Sequence, residues 1–559
     1  MQGGRDIASS GLLVKILYST KVSSILIARR YSLHYLTLII GGIAMGLATA
    51  PLGWTWTAWF AQIPLWWVVL SPNHHLIALK LPVKQALTAI AWGGGFYGCA
   101  LFWITGVHPM TWLGVPWLVS LAIALFCWLA ITFWGTILVF CWLVAVGWWQ
   151  KTTTKRLTNS SNPYSHQSIF ANGLLLLWGV TSWGGLEALW SRSILWWSPL
   201  AYTQSPSQLA LLQWLNLSGT SLITGAIVLI NGLLALGLIQ FVQKAKKPGL
   251  GHCLTALIIW LGLQGGGYLM YQQPLADRPD QAIKIGIIQG NIANEIKFNS
   301  EGWKKAIAGY TEGYQVLASQ GVDLVLTPEG ALPYLWETIV AQSSFYQAIL
   351  QSKIPVLLGA YDRKNDGYTN SLLSINAQGK LIDRYDKVKL VPLGEYIPLA
   401  NILGKFIQRL SPLKDQLIPG DRPGALQTPF GKAVVSICYE SAFPELFRQQ
   451  ILQGGEFILS SANNAHYSTA MPAQHHALDV MRAIEGDRWL ARATNTGYSA
   501  IISPQGDTLW RSAIDQYQLH AGTIYRRQTQ TLYTRWGDWL TICLFVLSGV
   551  AWLGLRTKR

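Results

Sequence analysis

Charge is what this chain has least of. Only 12% of its 559 residues are Asp, Glu, Lys or Arg, against about 25% in an average soluble protein. Between Gln85 and Gln150 there is none at all. A helix in water needs a polar face, so this stretch is not a set of soluble helices. Cysteine is also scarce. Five of the six, Cys99, Cys127, Cys141, Cys253 and Cys543, fall in long apolar runs, which leaves Cys438 as the lone thiol of the remaining large segment. A single thiol excludes a disulfide framework there. The chain also lacks an internal repeat, a low-complexity tract and a His/Cys cluster with metal-ligand spacing. No metal and no organic cofactor are therefore expected. No cleavable leader is expected either, because the first long apolar run starts beyond residue 30 and is followed by others.

What the chain has in excess is apolar and aromatic. Hydrophobic residues make up 51%, and 21 of the 28 tryptophans precede residue 272. Tryptophan suits the membrane–water boundary, where its ring is apolar and its N–H finds a partner. Apolar runs of about 20 residues, the length that crosses a bilayer, occur near 34–51, 54–71, 86–107, 115–147, 169–190, 218–240, 252–271 and 536–555. The fourth is long enough to be one tilted helix or two. The net charge of +16 points first to topology rather than to nucleic acid. Lys15, Lys21, Arg29 and Arg30 precede the first run, and Lys80 and Lys84 follow the second. Lys151, Lys155 and Arg156 follow the fourth, Lys244, Lys246 and Lys247 the sixth, and Arg556, Lys558 and Arg559 the last. The alternate loops are nearly uncharged, with Glu187 and Arg192 the main exception. This is the positive-inside pattern. It predicts cytoplasmic termini and an extracytoplasmic segment between the seventh and eighth runs.

The resulting organisation is a basic cytoplasmic segment over 1–33, a transmembrane bundle of about seven helices over 34–271, an extracytoplasmic domain over 272–534, and a final span with a basic tail over 535–559. Residues 11–28 read as a helix lying on the membrane surface.

From about residue 281 the pattern becomes α/β: short β-branched runs alternate with helical stretches and Gly/Pro/Asn turns. Strands are expected at 283–289, 322–327, 355–360, 371–376, 433–438, 457–461 and 499–503. Hairpins are expected at Asn376–Gly379 and Pro504–Asp507, and helices near 300–319, 339–352 and 473–490. The stretch 399–410 carries apolar residues at helical spacing. It reads either as a helix packed on its own domain or as an amphipathic lid touching the membrane.

Three apolar runs lead to unusual residues: Thr327-Pro328-Glu329, Lys387 and Lys389 within Arg384–Pro392, and Cys438 after Val434–Ile437. Functional groups gather beyond the carboxyl ends of parallel strands. A thiol needs a base or a nearby cation to become a nucleophile, which a carboxylate and an ammonium supply. Taken singly, each has a bland reading: a buried structural cysteine, a helix-capping glutamate, a solvated lysine.

The order Glu, Lys, Cys in a domain of this size resembles the nitrilase superfamily, which implies an αββα sandwich. Gln289-Gly290-Asn291-Ile292, Thr327-Pro328-Glu329, the block Lys387-Val388-Lys389-Leu390-Val391-Pro392-Leu393-Gly394-Glu395-Tyr396-Ile397-Pro398, Ile437-Cys438-Tyr439-Glu440 and Arg492–Gly497 resemble the apolipoprotein N-acyltransferase family across nearly the whole chain. The resemblance implies Glu329 as general base, Cys438 as nucleophile and Lys387 as the lysine that stabilises the oxyanion. Glu395 and Glu440 would support the site, and the Tyr439 backbone N–H would join the oxyanion hole. It also implies acyl transfer through a thioester, from a membrane phospholipid to the α-amine of a diacylglyceryl-cysteine on an apolipoprotein. The protein would be a multi-pass monomer of the bacterial inner membrane with its catalytic domain on the periplasmic side, acting without a cofactor or nucleic acid. The sequence departs from the family pattern at Lys389 (often His), Thr327 (commonly Trp) and Asn463–Tyr467 (usually Asn-Asp-Ala-Trp-Phe). A membrane-tethered amidase shares the same three residues. A transporter would need ionisable residues inside its spans, and few are present.

Overall fold

Alternation of inward and outward side chains organises the domain that follows the bundle. The computed structural model describes residues 32–71, 81–157, 166–365, 367–396, 417–421 and 424–557. The expected helices at 11–28 and 399–410 lie outside these residues.

Twelve strands form two six-stranded sheets. The first is built from β1 (Ala282–Gln289), β2 (Leu324–Leu326), β3 (Val356–Lys364), β4 (Gly367–Ile375), β5 (Leu381–Asp386) and β12 (Gln518–Tyr525), in the order β12-β1-β2-β3-β4-β5. The second contains β6 (Leu426–Thr428), β7 (Gly431–Ile437), β8 (Phe457–Ala462), β9 (Leu490–Thr494), β10 (Ala500–Ile502) and β11 (Thr508–Arg511), in the order β11-β10-β9-β8-β7-β6. Each has a parallel centre, β1-β2-β3 or β7-β8-β9, with antiparallel strands on both sides. The two hairpins fall where the turn residues place them, between β4 and β5 and between β10 and β11.

Period-two alternation splits each strand between two cores. Leu324, Leu326, Val435, Ile437 and Leu459 meet between the sheets. Val325 packs outward under the helix Ser300–Ser319, and Val434 and Ile458 pack outward into a core that continues into the bundle. Helices on one face, two sheets, and helices on the other make the αββα sandwich. The strands β5, β6, β9, β11 and β12 are absent from the sequence reading. They are edge or charged segments such as Leu-Ile-Asp-Arg-Tyr-Asp, whose place in a sheet comes from their neighbours. The helix expected at 339–352 is two, Trp336–Gln342 and Ser344–Ser352, separated at Ser343, whose side chain caps the second.

In the bundle, helices occupy Ser32–Leu47, Leu81–Ala100, Trp117–Leu157, His166–Trp190, Ser221–Val242, Lys246–Tyr271 and Trp539–Thr557. The fourth run is one continuous helix of 41 residues. The run at 54–71 is different: a 3₁₀ turn Thr55–Trp59 is followed by an eight-residue helix, Ile63–Leu70, which at about 1.5 Å per residue is too short to cross a bilayer. Trp66, Trp92, Trp142, Trp149 and Trp183 are fully buried inside the protein. The indoles of Trp66, Trp92 and Trp142 donate to the carbonyls of Val228, Ala61 and Gly179 at 3.0, 2.8 and 2.8 Å, so each polar N–H is satisfied inside the apolar core.

Candidate active site

The carboxyl ends of both parallel centres point to one place. Glu329 follows β2, Lys387 follows β5, Cys438 follows β7 and Asn463 follows β8. The loop bearing Glu329 crosses β3 so closely that a Cβ on Gly359 would stand 2.0 Å from the Pro328 carbonyl oxygen. Only glycine fits there.

Lys387 is buried, and its Nζ donates to Glu329 Oε1 at 2.8 Å and to Glu395 Oε1 at 2.9 Å. The Asn370 amide donates to the same two oxygens at 2.7 and 3.2 Å, and Glu395 Oε2 accepts from the Val391 N–H at 2.7 Å. Asn463 joins acid to thiol: its N–H donates to Glu329 Oε2 at 2.9 Å, while its carbonyl receives the Cys438 Sγ at 3.9 Å. Lys389 lies outside this group. Its ammonium sits 4.9 Å from the Phe443 ring centroid.

The charges set each other. Burial opposes ionisation of Glu329, but the Lys387 ammonium, with Lys297 and the Asn370 amide, outweighs it and holds the carboxyl below its ordinary value. Burial likewise opposes the charge of Lys387, which Glu329 and Glu395 overcome, raising it well above normal. Burial, joined by the Glu329 charge, pushes the Cys438 thiol up to about 12 against the pull of Lys387. The resting pair is therefore a carboxylate and a protonated thiol.

Cys438 opens a 3₁₀ turn, Cys438–Ala442, with φ +53°. A left-handed non-glycine residue costs about 1–2 kcal/mol. Glu440 holds the turn: its fully buried carboxylate accepts from Ile437 N (2.8 Å), Val388 N (2.6 Å), Lys389 N (3.1 Å) and the Tyr385 hydroxyl (3.0 Å). Burial pushes its carboxyl up to about 7 in spite of these donors. Glu440 thus ties the cysteine turn to the segment carrying Lys387. Behind the turn, Ser441 Oγ lies 3.0 Å from His475 Nε2. Arg492 donates to Asn464 Oδ1, which turns the Asn464 amide toward His475 Nδ1. That nitrogen is then the acceptor, and the proton sits on Nε2. Burial, then Arg492, keep His475 neutral by lowering it well below its usual value.

The Tyr439 hydroxyl donates to the carbonyls of Ile194 and Trp196 and accepts from the Trp196 N–H, at 2.8, 3.0 and 3.1 Å. Its ring stacks on Trp197 at 6.2 Å. The cysteine turn is thereby pinned to an aromatic loop of the bundle. Beside it, Tyr467 packs edge-on to Trp103, and His466 stacks on Trp112. The altered segment 463–467 is a second part of the site that meets the bundle.

Glu329, Lys387, Cys438, Glu395 and Glu440 form one connected group, with Tyr439 turned toward the bundle. Sequence reasoning missed Lys297, Asn370 and Asn463. The strand-end logic that selected Cys438 applies equally to Asn463 after Phe457–Ala462. Asn370 lies within β4, and Lys297 in a four-residue helix, Asn294–Lys297; neither carries a local signal.

The two-sheet sandwich with a Cys–Glu–Lys cluster at its strand ends, set on a helical membrane bundle, defines a nitrilase-type membrane enzyme class. Residues 284–531 match the carbon-nitrogen hydrolase family, and residues 41–233 match the apolipoprotein N-acyltransferase N-terminal domain. The apolipoprotein N-acyltransferase of Synechocystis sp. is 65% identical over 517 residues, covering 91% of this chain and 98% of that one. The Nostoc sp. protein of the same name is 48% identical, with 91% and 97% covered, and that of Thermosynechococcus vestitus is 42% identical, with 94% and 96% covered. This chain belongs to the apolipoprotein N-acyltransferase family.

Proposed function

We propose that this chain transfers a fatty acyl group from a membrane phospholipid to the α-amine of the diacylglyceryl-cysteine of an apolipoprotein, in two steps through a thioester on Cys438. The observation that carries the reading is the Asn463 backbone: its carbonyl accepts the thiol and its N–H donates to Glu329, beside the Lys387 ammonium. In the first step the Cys438 proton passes to Glu329 as Sγ bonds to the ester carbonyl carbon. Lys387 and the Tyr439 N–H stabilise the oxyanion, a contribution worth about 3–4 kcal/mol per donor in comparable sites. Collapse breaks the carbon–oxygen bond, and Glu329 returns its proton to the departing lysophospholipid oxygen. In the second step the neutral amine attacks the thioester and gives a proton to Glu329, and the carbon–sulfur bond breaks. The proton then returns to sulfur, giving the N-acylated product.

Glu395 and Asn370 hold Lys387 and Glu329 in register, and Glu440 sets the cysteine turn. The aromatic contacts of Tyr439 and Tyr467 with Trp197 and Trp103 place the nucleophile against the bundle, from whose side two membrane-anchored substrates would enter. The basic loops assign the termini to the cytoplasm and the sandwich to the opposite face of a bacterial inner membrane. The working unit is a monomer that needs no cofactor and no nucleic acid.

The test is a phospholipid with a labelled acyl chain, followed by denaturing electrophoresis under conditions that preserve thioesters. Label appears on the wild-type chain and is absent from Cys438→Ser. Glu329→Gln acquires label at least ~100-fold more slowly, the usual loss for a missing general base. Equal labelling of wild type and Cys438→Ser, or hydrolysis of a soluble amide with no lipid labelling, rejects the proposal.

A further inference from the structure

The site holds a second buried lysine that the mechanism above does not use. Lys297 is 5% exposed, lies outside every sequence motif, and donates from Nζ to the backbone carbonyl of Glu329 at 3.1 Å. Its charge acts on the Glu329 carboxylate and the Cys438 thiol, and it faces His466, which burial, then Lys297, keep neutral by lowering it to about 4. Burial draws the ammonium of Lys297 itself down to about 8, against the pull of Glu329 and then Cys438.

A charge count shows why one lysine is too few. Glu329 and Glu395 share a single ammonium, Lys387, so those three groups carry one net negative charge around a thiol that must itself become negative. Burying an uncompensated charge is costly. Adding Lys297 brings the Glu329–Glu395–Lys387–Lys297 set to neutrality. Proton transfer from sulfur to Glu329 then leaves the thiolate in a neutral group, whereas without Lys297 the thiolate forms in one that carries net negative charge before and after the transfer.

We propose that Lys297 is a positioning residue that supplies the second positive charge needed for Cys438 to ionise, acting through its hold on the Glu329 backbone and on the charge balance of the cluster. The inference rests on Cys438 being the acylated nucleophile. It adds a requirement for positive charge at a position that holds the Glu329 backbone.

The experiment uses the full chain in detergent with phospholipid. The rate of iodoacetamide alkylation of Cys438 is followed against pH by peptide-resolved mass spectrometry, and acyl labelling from phospholipid is followed in parallel. Lys297→Gln, which keeps a donor but not the charge, lowers Cys438 alkylation about tenfold below about pH 8, where Lys297 is charged, equivalent to one pKa unit, and the two profiles converge at higher pH. It slows acyl labelling by at least the same factor. Lys297→Arg restores both toward wild type. An alkylation profile for Lys297→Gln that overlays wild type overturns the inference, as does equal loss in the Arg and Gln variants, because a purely structural role would not follow charge. Should Lys297→Gln fail to fold, a folded Lys297→Arg with a wild-type profile supports the charge requirement, and one with a depressed profile rejects it. Absence of acyl label on the wild-type Cys438 is a separate result, which removes the acyltransferase reading itself.

Discussion

The two faces of the sandwich are covered by helices that look alike in sequence and differ in situation. Ser300–Ser319 lies over the first sheet and buries six of its 20 residues, on one stripe that includes Ala306, Tyr310, Tyr314 and Leu317. Ala470–Gly486 lies over the second sheet and buries 15 of its 17, among them His475, His476, Asp479, Arg482 and Glu485. The first has a solvated polar face. The second lies between its sheet and the bundle, so its polar side chains meet protein on both sides instead. Arg492 and Asp479 meet at 2.7 Å with neither side chain exposed, and Arg482 pairs with Glu485 at 2.8 Å. The Gln474 amide donates to the carbonyls of Ala50 and Ala100 at 2.9 and 2.8 Å and accepts from the Trp197 indole at 2.9 Å. An amphipathic pattern specifies a helix and two unlike faces. It does not say whether water or protein satisfies the polar one.

The comparison breaks most sharply at the buried ion pair. Arg492→Met leaves the Asp479 carboxylate without its partner, which costs about 3–5 kcal/mol. The detergent-solubilised protein should lose roughly 6 °C or more in thermal midpoint. A change under 2 °C would show that the polar face is hydrated after all. The next largest effect falls on the junction. Gln474→Ala strands the Ala50 and Ala100 carbonyls, a loss of about 2–3 kcal/mol at one side chain, whereas Lys304→Ala on the solvated helix should stay within about 0.5 kcal/mol. Comparable shifts in the two variants would erase the distinction between the two helices.

The smallest effect is a pH dependence. His476, with Nε2 3.0 Å from Thr508 Oγ1, is lowered to about 3 by burial, then by Arg492 and Arg511. Its folded value lies below the ordinary 6.5, so between those limits the unfolded chain binds the extra proton. Stability is then complete above pH 6.5 and declines as the pH falls, by up to about 2 kcal/mol from this residue at pH 5. Thermal midpoints at pH 7 and pH 5 should therefore diverge less in His476→Asn than in wild type. An identical drop in both would place the acid sensitivity elsewhere.

Much of the site was legible because strand ends are legible. The runs before Glu329 and Cys438 stop abruptly on polar residues, and the Lys387–Pro398 block is long and specific enough to separate Lys387 from Lys389. The structure puts Lys387 between two carboxylates and Lys389 over Phe443. Lys297 was illegible because its chemistry comes from burial, and nothing in Asn-Glu-Ile-Lys announces burial. The 54–71 run misled for the opposite reason: its composition is that of a span, but Ile63–Leu70 is short and follows a 3₁₀ turn. Composition measures affinity for an apolar surrounding, and a protein interior provides one as well as lipid does. The buried tryptophans make the same point.

Taken alone, the order of residues determined the local quantities: which segments avoid water, where the apolar period changes from helix to strand, and which strands end on reactive groups. These depend on neighbours a few positions apart. Only the folded chain decided that β2, β5, β7 and β8 deliver Glu329, Lys387, Cys438 and Asn463 to one site, that a second lysine joins them, and that a helix buries five ionisable side chains against protein. Those are matters of charge and solvation between groups distant in sequence, and such energies exist only once the groups share a low-dielectric space.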